Sequence, residues 1–340
     1  MKIELTMKTL TEIQSSPKII SFGNVLLDYS IQIDSVEDLE RYGLVLGAKG
    51  EINSQVMKTI KTEMQSKFNT PGHSGGSALN STRILNQLGC DAFFFGSVGK
   101  DETGEKLMSL LNKDGVQFRF QEHSDHPTGE CVCFVLEEHT ALYGYIGASS
   151  HFTVEYLDSV QERERIFNET HNQIIYIEAF FLPQREDVAR KIVEQYSRDN
   201  CLLAFNINAP YLVEEYYDIV TFMISKAKLV FGNKQEFLAL GAKKKLHTIQ
   251  EIVQSILEED DTKIVVVTNG SKTVELGYNN QLKLFNVPKV KDIVDTTGAG
   301  DSFVAGFLCS YIQNLPLEEC VEGGMEVASK VVTRIGCNLP

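Results

Sequence analysis

Residues 18–23 form a short apolar run closed by Gly23, which predicts a strand. Tyr29, Ile31 and Ile33 alternate with other positions across 27–34, the mark of a strand with one face in solvent. Helical spacing covers 36–42 and 52–67, and a helix over 78–88 follows Gly75-Gly76-Ser77. Residues 92–98 read as a buried strand, and 117–121, 130–136 and 142–146 as three more strand-like pieces. Beyond these, apolar strands and helical patterns take turns. They run 174–180 then 184–197, 202–206 then 211–224, and 229–232 then 233–240. Helical 247–258 precedes an apolar run at 264–268, and two helices, 301–313 and 317–335, end the chain.

Such alternation, with near-continuous apolar strands, predicts an α/β fold: a mostly parallel central sheet with helices on both faces. The β-rich pieces do not fit it. They are expected to pair separately as a small lid, built from about 25–45 and 117–146, that interrupts one large domain spanning 18–340. Residues 1–17 are polar, end in Ser-Ser-Pro and read as a flexible leader. No repeat or low-complexity segment is visible.

Composition narrows the picture. The 340 residues are 43% hydrophobic, ample for one large core plus an accessory element. Formal charge is 32 − 46 = −14, and no basic stripe offers a nucleic-acid partner. An acidic protein that handles phosphate must therefore make positive potential locally, from helix N-termini and a divalent cation. The seven cysteines are scattered, and Cys131-Val132-Cys133 lacks the spacing of a zinc site. They read as free thiols in a reducing compartment. No segment approaches the roughly 18 apolar residues of a membrane span, and the first residues lack a secretory core. The expectation is a cytoplasmic protein, nuclear as a second location, with no membrane partner. Asn80-Ser81-Thr82 and Asn168-Glu169-Thr170 match the glycosylation pattern, and without a secretory signal both read as accidental.

The richest stretch is Asp295-Thr-Thr-Gly298-Ala299-Gly300-Asp301-Ser-Phe-Val-Ala-Gly-Phe307. Its glycines leave backbone N–H groups uncovered, and the apolar helical spacing from Phe303 places those groups at a helix N-terminus. That is a natural anion site. Asp301 then sits in the first turn beside any bound anion. Its bland reading is a cap residue. Its chemical reading is a general base that takes a proton from an attacking hydroxyl while the amides hold the transferring phosphoryl group.

Other candidates are weaker alone. Asp28, beyond the first strand, can accept hydrogen bonds from a vicinal diol, or be a turn residue. Gly76, Ser77 and Asn80 open a helix where backbone approaches a ligand, or form an ordinary cap. Phe180 offers a stacking face, or core packing. Asn233 and Glu236 stand one helical turn apart and suit hydrated Mg²⁺, which needs few protein ligands. No P-loop string occurs, Phe303 breaks a dinucleotide fingerprint, and no deaminase pattern appears.

The 295–301 string resembles the DTxGAGD signature of the ribokinase-like carbohydrate kinases, and from Ile20 to Pro340 the ordered matches resemble most the adenosine-phosphorylating members of that family. The matching pieces are Gly23-Asn24-Val25-Leu26-Leu27-Asp28, Gly75–Ser81, Pro127-Thr128-Gly129, Tyr176–Leu182, Phe205–Tyr211, Thr268-Asn269-Gly270 and Arg334–Pro340. The resemblance implies a ribokinase-like fold and transfer of the ATP γ-phosphoryl group to the 5′-hydroxyl of adenosine, giving AMP and ADP for purine salvage. It implies Asp301 as base and the Gly298, Ala299 and Gly300 amides as anion hole. It implies adenosine contacts from Asn24, Asp28, Gly76, Ser77, Asn80, Leu142, Phe180 and Tyr211, and ATP contacts from Asn206, Asn233, Thr268, Gly270 and Gly300. Glu236 would reach Mg²⁺ through water, and Asp295 a monovalent cation such as K⁺. The expected assembly is a monomer.

Departures from the family pattern stand beside the matches. Thr140, with His139 adjacent, falls where the family carries a lid Arg that neutralises the transferring phosphate. Val25 replaces a Pro, Lys234 replaces a Glu, and Leu46-Gly47-Ala48-Lys49-Gly50-Glu51 brings charge where apolar contacts to the base are expected. The alternatives are a related nucleoside or sugar kinase, and a catalytically impaired nucleoside-binding paralogue.

Overall fold

The computed structural model describes residues 18–67, 72–137, 139–167 and 172–340. The leader at 1–17 and the Asn168-Glu169-Thr170 pattern lie outside the described residues.

Fourteen strands make two sheets among the described residues. The first is β1 (Ile19–Phe22), followed by β2 (Leu26–Gln32), β3 (Lys49–Glu51) and β4 (His73–Gly75). Next come β5 (Ala92–Gly99), β6 (Gln117–His123), β7 (Gly129–Leu136) and β8 (His139–Tyr145). The rest are β9 (Gln173–Glu178), β10 (Cys201–Asn206), β11 (Leu229–Asn233), β12 (Ile264–Asn269), β13 (Thr273–Tyr278) and β14 (Gln281–Asn286).

The large sheet has nine strands in the order β14-β13-β12-β11-β10-β9-β1-β5-β6. From β6 to β12 every pairing is parallel. All residues of β5 and β9 are buried, which is why these strands read as unbroken apolar runs rather than alternations. Helices cover both faces over two continuous cores, one centred on Phe22, Phe181 and Phe205, the other on Phe94, Phe231 and Phe307.

The lid is a five-stranded sheet in the order β3-β8-β7-β2-β4. Its β2 starts buried at Leu26 and Leu27 and alternates only toward its end, where Ile31 is buried between exposed Ser30 and Gln32. The helix Ser54–Glu63, capped by the Asn53 side chain on Val56 N at 2.9 Å, lays Met57 and Ile60 into a third, smaller core with Ile31, Val132 and Phe134.

Several boundaries differ from the sequence expectation. Residues 117–123 form β6 and close the edge of the large sheet, pairing with β5 in parallel, so only 129–145 of that stretch belongs to the lid. The lid also takes β3 and β4, which the pattern did not offer because three residues are too few to show a period. The helix expected over 36–42 is one turn, Glu37–Glu40. The helix expected over 211–224 divides at Tyr216, whose φ −121° and ψ 35° leave the helical region. Helices Glu102–Lys113 and Val154–Glu164 and the β13–β14 hairpin were not anticipated. The Asn80-Ser81-Thr82 triplet is buried inside a helix, which bars glycosylation. No helix among the described residues is long and apolar enough to cross a membrane.

Candidate active site

The carboxyl ends of the parallel strands point at one cleft, the usual ligand position in an open α/β sheet. It measures about 460 Å³. Asn24 follows β1, Glu178 ends β9, Asn206 ends β10, Asn233 ends β11 and Thr268 lies near the end of β12; all line it. The lid contributes Asp28, Lys49, Glu51, Thr140 and Leu142 from across the opening.

The helix Ala299–Ile312 aims its N-terminus into the cleft. Its cap residue, Gly298, has φ +76°, and a side chain there would press a Cβ to 2.5 Å from the Cys337 side chain. Only glycine closes this turn without strain. Ser302 N donates to Gly298 O at 2.8 Å, and Ala299 N to Thr296 O at 3.2 Å. The Gly298 and Gly300 amides donate to no acceptor among the described residues. Of the three amides expected to form an anion hole, one thus has an internal partner and two stay open at the positive end of the helix.

Asp301 lies in the first turn. Its carboxylate accepts from Ser77 Oγ at 2.6 Å and from Asn80 Nδ2 at 3.0 Å. Both donors open the helix Ser77–Gln87, so two helix N-termini converge on one carboxylate. Burial pushes the Asp301 pKa upward, while these hydrogen bonds and the Lys49 charge oppose the rise. Ser77 and Asn80, expected to touch the nucleoside, here position the base candidate.

Behind Ser77 lies a residue that sequence reading passed over. Glu178 is fully buried, and burial pushes its pKa up to about 8. Asn208, at φ +61°, donates to Ser77 Oγ at 2.9 Å and to Glu178 Oε2 at 3.4 Å. The signal for Glu178 was present: one carboxylate in the otherwise apolar Ile174-Ile175-Tyr176-Ile177-Glu178-Ala179-Phe180-Phe181.

Asp28 rises from β2 over Gly75, where any Cβ would stand 1.9 Å from its carboxylate. One of its oxygens, Oδ1, is buried with no hydrogen-bond partner. Burial, then the nearby Asp301 charge, pushes its pKa up to about 7. An unsatisfied acceptor lining a cleft calls for a donor from a ligand.

Phe180 sits in a single 3₁₀ turn after β9, with its ring centroid 6.5 Å from that of Tyr211. Asn24 braces this turn from below. Its Nδ2 donates to Phe180 O at 3.1 Å, while its Oδ1 accepts from the buried Arg185 at 2.7 Å. Asn24 therefore holds the aromatic wall in place.

Asn233 and Glu236 form a capping box on the helix Lys234–Lys244. Glu236 accepts from Asn233 N at 2.7 Å and from Asn233 Nδ2 at 2.6 Å. Glu236 is 3% exposed, and burial pushes its pKa up to about 7. Among the described residues no group of three or more His, Cys, Asp or Glu could hold a metal ion. The donor set fits an ion that keeps its waters and leans on phosphate oxygens. Asn206 and Thr268 line the same end, and Gly270, at φ +56°, turns the chain beside them. Asp295 is different. Its two oxygens accept from Thr297 N at 2.8 Å and Gly336 N at 2.9 Å, and it does not line the cleft. It clamps the 295–298 turn to the C-terminal segment.

Comparison with known proteins places the chain. The family described as pfkB family carbohydrate kinase matches residues 50–340. Adenosine kinase 2 of Arabidopsis thaliana is 27% identical over 340 residues, covering 95% of this chain and 95% of its own length. The adenosine kinase of Dictyostelium discoideum is 27% identical over 348 residues, covering 96% of this chain and 97% of its own. Among solved structures, Anopheles gambiae adenosine kinase in complex with P1,P4-di(adenosine-5) tetraphosphate superposes with a TM-score of 0.83 at 27% identity, covering 95% and 98% of the two chains.

Proposed function

The chain belongs to the pfkB family of carbohydrate kinases and is a phosphotransferase acting on a hydroxyl group, and on that premise we propose that its acceptor is the 5′-hydroxyl of adenosine, with ATP as donor and AMP and ADP as products. One observation carries the reading. The Asp301 carboxylate, the open amides of Gly298 and Gly300, the unpartnered Asp28 oxygen and the Phe180–Tyr211 wall share a single cleft.

The geometry divides the work. Phe180 and Tyr211 take the flat base. Asp28 Oδ1 accepts from the ribose hydroxyls. Asp301 accepts the 5′-hydroxyl proton as the O5′–Pγ bond forms and the bond from Pγ to the β-phosphate oxygen breaks, releasing ADP. Ser77 and Asn80 hold the carboxylate in place, and the amides of Gly298 and Gly300 meet the developing charge. Asn206, Asn233, Thr268 and Gly270 line the same cleft and in this reading take the nucleotide. Mg²⁺, when bound with ATP, supplies charge neutralisation on the phosphates, and Glu236 with Asn233 would reach its waters.

Seven unpaired cysteines and the use of ATP support a cytosolic setting, where returning adenosine to the nucleotide pool is purine salvage.

The test is transfer of radioactive phosphate from Mg·ATP to adenosine, inosine and ribose in turn. Adenosine is expected to be the preferred acceptor, and Asp301→Asn to lower kcat by about 10³-fold or more. Equal turnover of the two proteins would remove Asp301 from the mechanism. Preference for ribose would replace the substrate.

A further inference from the structure

The cleft has an electrostatic problem. Five carboxyl groups line it, from Asp28, Glu51, Glu178, Glu236 and Asp301, and each one that ionises adds negative charge. A triphosphate must enter the same space. Among the described lining residues there is one side-chain cation, Lys49.

Lys49 begins β3, an edge strand of the lid. β3 pairs only with β8, in parallel, with Lys49 opposite Leu142 and Glu51 opposite Gly144. Residues i and i+2 on a strand share a face, so Lys49 and Glu51 are presented together, and both line the cleft. Thr140, the lid residue that carries no charge, holds this segment directly: Gly47 N donates to Thr140 O at 3.1 Å. Leu142 N donates to Ala48 O at 3.0 Å, completing the anchor. A short strand is thus pinned at the residue before its cation.

The two charges on β3 act on different groups. The positive charge of Lys49 pulls down the carboxyl pKa values of both Asp301 and Glu236, against their burial. The negative charge of Glu51 acts on Tyr211 and Tyr216, beside the aromatic wall, and on the buried Arg185. Lys49 is exposed, so its ammonium group stays solvated until a ligand arrives. A compact, mobile cation on a lid edge suits a charge that exists only while phosphate is bound.

We propose that Lys49 is a catalytic residue, the lid cation that contacts the transferring phosphoryl group and stabilises its charge as the bond to ADP breaks. This rests on the phosphotransfer reading of the cleft. The lid otherwise brings only neutral and acidic side chains to the cleft, so Lys49 does from β3 what no residue of β8 does.

The experiment compares wild type with Lys49→Met, Lys49→Arg and Lys67→Met. Lys67 is a control: it pairs with Asp34 at 2.7 Å and lies outside the cleft. Lys49→Met is expected to lose about 10²- to 10³-fold in kcat, the scale of removing a transition-state cation, with the KM for adenosine within about threefold. Lys49→Arg is expected to recover at least about tenfold of that loss, and Lys67→Met to match wild type. A Lys49→Met enzyme within threefold of the wild-type kcat overturns the proposal. Calorimetric titration with ATP in the absence of acceptor provides a second arm, in which Lys49→Met is expected to bind about tenfold more weakly. If wild type binds ATP but phosphorylates no acceptor, the proposed function fails. The binding arm then decides Lys49 alone, and unchanged ATP affinity overturns its role.

Discussion

The two sheets solve different problems with different depths of core. The large sheet buries whole strands on both faces, and Phe22 alone packs near the rings of Phe95, Phe152, Phe167 and Phe181, at centroid distances of 5.2, 6.0, 6.4 and 6.2 Å. The lid buries one face over a thin cluster around Ile31, Val132 and Phe134. The difference separates roles within one cleft. Groups that must not move, Asp301 with its Ser77 and Asn80 donors and the Gly298 turn, stand on the deep core. Groups that reach the cleft from across its opening, Asp28 and Lys49, stand on the shallow one. Cover without rigidity is what closing over a substrate requires.

Stability should reflect that contrast. Phe22→Ala is expected to cost about 3–5 kcal/mol of global stability, because a rigid aromatic cluster cannot collapse into the void. Phe134→Ala is expected to lower global stability by less and to act mainly on local opening. Urea melts read the first effect, and amide exchange in β2, β7 and β8 reads the second. Equal global losses with unchanged lid exchange would make the two cores one cooperative unit.

A smaller effect tests the turn where the platform meets the cleft. Gly298→Ala forces a Cβ into Cys337 and a left-handed φ on alanine. It is expected to cost about 1–3 kcal/mol, the strain scale of such positions, and to weaken ATP binding more than adenosine binding. Thermal melts and separate titrations check both. An alanine variant with wild-type melting and ATP affinity would show that the turn relaxes freely.

Much of the platform was legible because its elements are long. Strands buried on both faces write apolar runs, and the helices between them write a 3.6-residue period. The lid was legible only where β2, β7 and β8 run seven or eight residues. β3 and β4, three residues each, carry no readable period, and their place in the lid is set by pairing with β8 and β2. β6 was read as lid because half-exposed edge strands alternate in either sheet. The β13–β14 hairpin had a signal that went unused: Asn279-Asn280, at φ +48° and +56°, is a two-residue turn of the kind asparagine tolerates. At the site, the Gly298–Asp301 turn was plain from spacing. That Ser77 and Asn80 serve Asp301 was not, because contacts across more than 220 residues leave no local trace.

The last prediction concerns charge shared between the sheets. Asp28 on the lid, with Glu178 and Glu236 on the platform, have pKa values pushed up by burial to about 7, 8 and 7. In the unfolded chain these acids ionise near pH 4. Between that value and the folded pKa, the folded state holds protons that the unfolded state has lost. Stability of the ligand-free protein therefore falls as pH rises from about 5 to about 8, the reverse of a salt-bridged carboxylate. Each group contributes on the order of 1–2 kcal/mol across that window, once relaxation of its surroundings is allowed for. Urea unfolding at pH 5.5 and pH 8 measures the slope. Glu178→Gln is expected to flatten it by keeping the platform carboxyl neutral throughout, and Asp28→Asn to flatten it through the lid. If Asp28→Asn leaves the slope untouched while Glu178→Gln removes it, the lid already opens to water before the protein unfolds, and its aspartate titrates as an exposed one.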